Sequence, residues 1–168
     1  MKLIGLSGKK QTGKDMVCTL LTKHSKSPVI RLAFADELKQ EVARALGTSV
    51  VFIEADKEYF RPLLQWWGTY RRRTNPSYWI DKVFTKALKM PDPTATFVIT
   101  DARYLNEVEA IRYCNGTIIG VLRPSNNMED THDSESLAGI TYDYVINNTH
   151  TVESLEQQVI ELIHKLNL

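Results

Sequence analysis

The sequence predicts an α/β fold in which helices cover both faces of a parallel sheet. Three observations carry that prediction. Short β-rich runs alternate with helical segments along most of the 168 residues, as parallel strands require, because each must be reached by a crossover. The first apolar run leads into a glycine loop and then a helix. The last segment is amphipathic, with Val152, Leu155, Val159, Leu162, Ile163 and Leu166 at helical spacing and Glu153, Glu156, Gln157 and Lys165 on other faces.

Taken in order, strands are expected at Lys2–Leu6, Val29–Phe34, Phe97–Thr100, Thr117–Leu122 and Tyr144–Ile146, each bounded by polar, Gly or Pro residues. Helices are expected at Lys14–His24, after the glycine loop, and at Asp36–Leu46, where Asp36 has the chemistry of an N-cap and Gly47 that of a stop. A further helix over Asn106–Cys114 ends before Asn115-Gly116. Gly47–Met90 breaks the rhythm: it lacks a strand and reads as helices around Tyr59–Trp67 and Pro76–Lys89, with Pro76 near a first turn. Pro91-Asp92-Pro93-Thr94 then marks the return to the sheet. The expectation is one domain over 1–168, with a helical insertion at about 47–90 where a substrate pocket can be built.

Bulk properties limit the function classes. A hydrophobic content of 43% supports one substantial core. A formal net charge of +1 offers no general attraction for a nucleic-acid polymer or an anionic membrane, so neither is expected as a stable partner. Cys18 and Cys114 are too few for a disulfide framework or metal knuckle and are expected to be reduced and mostly buried. With no apolar leader and no membrane-length apolar window, the expected location is the cytoplasm.

Gly8 to Asp15 reads GKKQTGKD. A loop of this composition between a strand and a helix lets backbone N–H groups and the helix dipole converge on phosphate oxygens, with Lys14 reaching the terminal phosphates of a nucleotide. Asp15 stands where a serine or threonine normally holds magnesium. It either binds the metal, directly or through water, or serves the helix start. A second constellation follows the strand in VITDARYLNEVEAIR, where Asp101 and Arg103 lie just past the carboxyl end and Glu107 near the start of the next helix. Ligands of open α/β sheets bind at that end, so these residues are expected to face the crevice used by Lys14.

Together, GKKQTGKD, LAFADELK, RPLLQWWGTYRRRTNPSYWIDKV, VITDARYLNEVEAIR and THDSES resemble the bacteriophage deoxynucleoside monophosphate kinases over about Leu3 to Glu135. The resemblance implies a three-layer P-loop NTPase fold of the nucleoside monophosphate kinase type, with a central parallel sheet and a helical substrate-binding insertion. It implies transfer of the ATP γ-phosphate to a deoxynucleoside 5′-monophosphate with Mg2+, in the cytoplasm of the host if the protein is phage-encoded, and it allows a homodimer. On that basis Lys14, Asp15, Asp101 and Arg103 are catalytic. Gly8, Lys9, Lys10, Gln11, Thr12, Gly13, Lys14, Asp15 and Met16 hold the donor, joined by Arg123 after the fourth strand. Asp36, Lys39, Arg61, Gln65, Gly68, Thr69, Arg72, Trp79, Asp101, Arg103 and Glu107 bind the acceptor. Gln65 is suited to a base edge, Trp79 to stacking and Arg103 to the acceptor phosphate. One departure stands out: the family often reads GKDT, whereas Met16 follows Asp15 here. Metal ligation then falls on Asp15, partly through water, or on Thr12 or Asp101.

Other residues have simpler readings. Of Trp66 and Trp67, one is expected in the core and the other in a pocket or subunit interface. One or two of Arg71, Arg72 and Arg73 are expected to close on phosphate and the rest to be solvated. His132, among Asp130, Asp133 and Glu135, reads as the centre of a loop-organising hydrogen-bond network rather than a metal ligand.

Overall fold

The computed structural model describes residues 2–90, 92–123, 137 and 139–168. In chain order the elements are β1 (Lys2–Ser7), α1 (Lys14–His24), β2 (Val29–Leu32), α2 (Phe34–Ala45), α3 (Val50–Ala55), α4 (Lys57–Thr74), α5 (Tyr78–Leu88), β3 (Thr96–Ile99), α6 (Leu105–Tyr113), β4 (Thr117–Leu122), β5 (Tyr144–Asn147) and α7 (Val152–Leu166). They form two compact units, Met1–Leu32 with Pro91–Leu168, and Ala33–Met90.

The first unit is a five-stranded sheet in the order β2-β3-β1-β4-β5, every pair parallel. Side chains of β1 alternate between its faces. Ile4 and Leu6 join a core with Val17, Leu21, Val159 and Leu162 of α1 and α7. Gly5, on the opposite pleat, admits α6: a Cβ there would lie 2.8 Å from Ile111 Cδ1. Helices therefore cover both faces of the sheet, as a fully parallel sheet demands. Helix α1 has Asp15 in its first turn and Lys23 and His24 in its last, each sign placed where the helix dipole favours it.

The strand expected at Val29–Phe34 ends at Leu32. Its partner β3 stops at Ile99, and Thr100 N–H donates to Leu32 O at 3.0 Å as the chain turns away. Phe34, 2% exposed, is already in α2. Asp36 is consequently not the N-cap: Ala33 holds that position, and Asp36 lies in the first turn with its N–H donating to Ala33 O at 3.2 Å.

The second unit contains only helices. Val42, Ala43, Ile53, Phe60 and Leu64 form its core, joined by Leu38, Val50, Leu63 and Trp67. Helix α3 had no sequence expectation; Ser49 caps it by accepting from Phe52 N–H at 3.1 Å. Helix α4 is longer than the expected Tyr59–Trp67 and continues through Gly68 to Thr74, with Asp56 as its N-cap. Helix α5 starts at Tyr78 rather than Pro76, after Ser77. No described helix is long and apolar enough to cross a membrane.

Candidate active site

The glycine loop spans the carboxyl end of β1 and the start of α1. Gly8 has φ +152°, and a Cβ there would lie 2.3 Å from Val121 O. Gly13 is the N-cap of α1 in the left-handed region, φ 96°, with Asn148 Nδ2 2.4 Å from where a Cβ would be. Both positions need glycine, for conformation and for space. Within the loop, Lys14 Nζ donates to Gly8 O at 2.8 Å and to Lys9 O at 2.6 Å. The Thr12 hydroxyl also donates to Lys9 O, at 3.0 Å.

Lys14 is only 8% exposed. Burial lowers its pKa from the ordinary lysine value to about 8, the Arg103 guanidinium adds to the effect, and Asp15 and Asp101 oppose it. Those four charged groups share one electrostatic neighbourhood. The link is made by the backbone: Ala102 N–H donates to Leu6 O at 3.1 Å, pinning the Asp101–Arg103 turn to the end of β1. Glu107, 2% exposed, accepts the N–H groups of Arg103 at 3.0 Å and Tyr104 at 3.2 Å through one carboxylate oxygen. Through these two backbone donors the buried Glu107 carboxylate organises the turn that carries Arg103. Asp15 is largely exposed and pairs with Arg31 at 3.8 Å, and Met16 is 44% exposed.

On α4, Arg61, Gln65, Gly68, Thr69 and Arg72 fall on one stripe, at helical spacing i, i+4, i+7, i+8 and i+11. Arg61 forms a two-point pair with Glu58, at 2.9 and 2.6 Å. Gly68 is buried, and a Cβ on it would lie 3.2 Å from Arg72 Nη1 and 3.3 Å from Leu38 Cδ2. Its carbonyl accepts the Trp79 indole N–H at 3.2 Å. Gly68 admits the close approach of α2 to α4, and Trp79, expected to stack on a ligand, lies in the core at 1% exposure. Lys39 bridges Asp36, at 3.7 Å, and Glu54.

Of the three consecutive arginines, Arg71 is committed to packing: its Nε donates to Glu41 Oε1 at 2.7 Å and its guanidinium lies over the Tyr78 ring at 4.9 Å. Trp66 is 60% exposed and stacks on Tyr70, whereas the Trp67 N–H donates to Glu41 at 2.9 Å. Arg123 is exposed just beyond β4. Asp130, His132, Asp133 and Glu135 lie outside the described residues. Cys18 and Cys114 are free thiols, the first buried and the second partly so.

Two residues escaped the sequence reading. Glu41 gathers donors from α4 and α5, and Asn148 donates to Thr12 O at 2.9 Å. Glu41 carries no local signature; Asn148 stands just past a strand's carboxyl end, the position that flagged Asp101.

A parallel sheet whose first strand feeds a glycine loop, with a buried lysine and a facing arginine at the strand ends, is the architecture of a P-loop kinase. The family model described as phosphomevalonate kinase matches residues 6–116, and the chain belongs to that family of P-loop kinases. A protein of Acanthamoeba polyphaga mimivirus, provisionally named a deoxynucleotide monophosphate kinase, is 31% identical over 189 aligned residues, covering 97% of this chain and 96% of its own. Shikimate kinase from Aquifex aeolicus shares the fold at 14% identity and TM-score 0.51, over 99% of this chain and 98% of that one. Shikimate kinase from Acinetobacter baumannii, in complex with shikimate, does so at 14% identity and TM-score 0.52, over 99% and 94%. The protein is a phosphotransferase acting on a small substrate.

Proposed function

We propose that the protein transfers the γ-phosphate of ATP to a deoxynucleoside 5′-monophosphate, giving ADP and a deoxynucleoside diphosphate. One observation carries the phosphoryl-transfer reading: the Lys14 amine is held inside the glycine loop by Gly8 O and Lys9 O, where burial first, and the Arg103 guanidinium second, lower its pKa to about 8. Two cations brought together at a buried loop are repulsive alone and favourable around a polyanion. In the reaction an acceptor phosphate oxygen bonds to the γ-phosphorus, and the bond to the β–γ bridging oxygen breaks as ADP leaves. Lys14 and the loop N–H groups orient the donor, and Arg103 neutralises charge on the acceptor side.

The mimivirus relative's name and the polar stripe Arg61, Gln65, Thr69 and Arg72 on α4 support a nucleotide as acceptor. Magnesium supplies charge neutralisation when carried in with ATP. Met16 offers it no hydroxyl, so the fitting ligands are the carboxylates of Asp15 and Asp101 and the Thr12 hydroxyl, which donates its hydrogen to Lys9 O and keeps its lone pairs.

A second acceptor, phosphomevalonate, is favoured by the family model over 6–116. An ADP-release assay with ATP, Mg2+ and each acceptor separates the two. Turnover with at least one of the four canonical or modified deoxynucleoside monophosphates is expected; turnover with phosphomevalonate alone would replace this reading by the second.

A further inference from the structure

Four carbonyl groups of the glycine loop, those of Gly8, Lys9, Thr12 and Gly13, accept hydrogen bonds from within the protein. Gly8 O and Lys9 O accept from Lys14, and Gly13 O accepts the Val17 N–H at 2.9 Å. Thr12 O is held by a residue from the far end of the chain, the Asn148 side-chain amide, at 2.9 Å. Asn148 is itself anchored, because its N–H donates to Leu122 O at 2.7 Å just past the β4–β5 ladder. The preceding Asn147 is clasped by Gln158 of α7, which accepts its N–H at 2.9 Å and donates to its carbonyl at 3.0 Å.

We propose that Asn148 is a positioning residue for the donor phosphates, locking the Thr12–Gly13 peptide so that the Gly13 N–H is presented to them. The Thr12 carbonyl and Gly13 N–H belong to one planar trans peptide and point in opposite directions. Fixing one fixes the other. No backbone acceptor among the described residues takes the Gly13 N–H. The lock is needed because glycine makes the peptide easy to turn over, and a turned peptide would present a carbonyl oxygen to an anion. Gly13 and Asn148 are also matched in space, since a Cβ at 13 would lie 2.4 Å from the Asn148 amide nitrogen.

The inference rests on the donor-site reading of the loop, but not on which acceptor is used. Its test is ADP affinity by titration calorimetry for the wild type, Asn148→Ala, the isosteric Asn148→Asp, and Lys14→Ala. Asn148→Ala is expected to weaken ADP about tenfold, with Asn148→Asp weaker still because its carboxylate cannot donate. The KM for ATP should rise with it, while the acceptor KM stays within twofold and the melting temperature of the ADP-free protein falls only a few degrees. In the wild type, the Gly13 amide proton should shift downfield when ADP is added. ADP affinity unchanged in both Asn148 variants while Lys14→Ala loses it, or an unmoved Gly13 resonance, overturns the inference. Undiminished affinity in Lys14→Ala overturns the donor-site reading itself.

Discussion

The Tyr78 hydroxyl donates to Glu41 Oε2 at 2.6 Å, joining α5 to α2 through a carboxylate that also receives Trp67 at 2.9 Å, Arg71 at 2.7 Å and Lys82 at 3.0 Å. Burial pushes the Glu41 pKa up, but the bonds from Tyr78, Trp67, Lys82 and Arg71 outweigh it and hold the group at about 2.

Removing that charge while keeping the shape should therefore loosen the helical unit. Glu41→Gln is expected to cost about 2–4 kcal/mol in urea unfolding, as for a mostly buried carboxylate with several donors. The sign with pH follows from the depressed value: the stabilisation is fully present above the unfolded carboxylate range near 4.5 and is lost as pH falls toward 2. Wild type should lose this increment across that window. A Glu41→Gln variant with unchanged stability at pH 7 would contradict the hub.

Lys14 should take up a proton when nucleotide binds. With a pKa of about 8 in the free protein it is partly neutral near pH 8, and added phosphate charge raises the value. Calorimetry of ADP binding at pH 8, in buffers of different ionisation enthalpy, should show net uptake that fades by pH 6.5 and is absent in Lys14→Met. Arg103→Met, which removes the like charge, should move the uptake to higher pH and lower kcat/KM at least about hundredfold. Because the folded value lies below the unfolded 10.5, the folded state binds fewer protons between about 8 and 10.5, and this residue's contribution to stability improves as pH rises through that window.

Trp79 should behave as a core side chain. Trp79→Phe loses the bond to Gly68 O and is expected to cost about 1 kcal/mol, and Trp79→Ala about 3–5 kcal/mol. The acceptor KM should stay within about twofold in Trp79→Phe. A tenfold rise without loss of stability would restore the stacking role.

Sequence patterns exposed what depends on neighbours in the chain. Residues 8–15 announce a phosphate loop because its conformation is set by consecutive residues, two of them glycines at positive φ. The runs that become β1, β3, β4 and β5 are short, apolar and β-rich, and the period of α7 is plain. Phe34 illustrates the limit: it extends an apolar run, yet the strand ends where its ladder partner ends, at Ile99. The buried Trp79 and the several-fold bonded Glu41 show the same limit among side chains, since their partners lie 11 and 26–41 residues away.

By itself, then, the chain of residues determined the parallel α/β layout, the glycine loop and the neighbouring Asp101-Ala102-Arg103 turn, because local backbone preference and hydrophobic period act over a few positions. Only the tertiary structure decided that Glu107 braces Arg103 from within, that Arg71 is packed against Glu41, and that Asn148 reaches across 136 positions to hold Thr12 O. Hydrogen bonds of that kind depend on which ends of which strands and helices are brought together, and packing sets that arrangement.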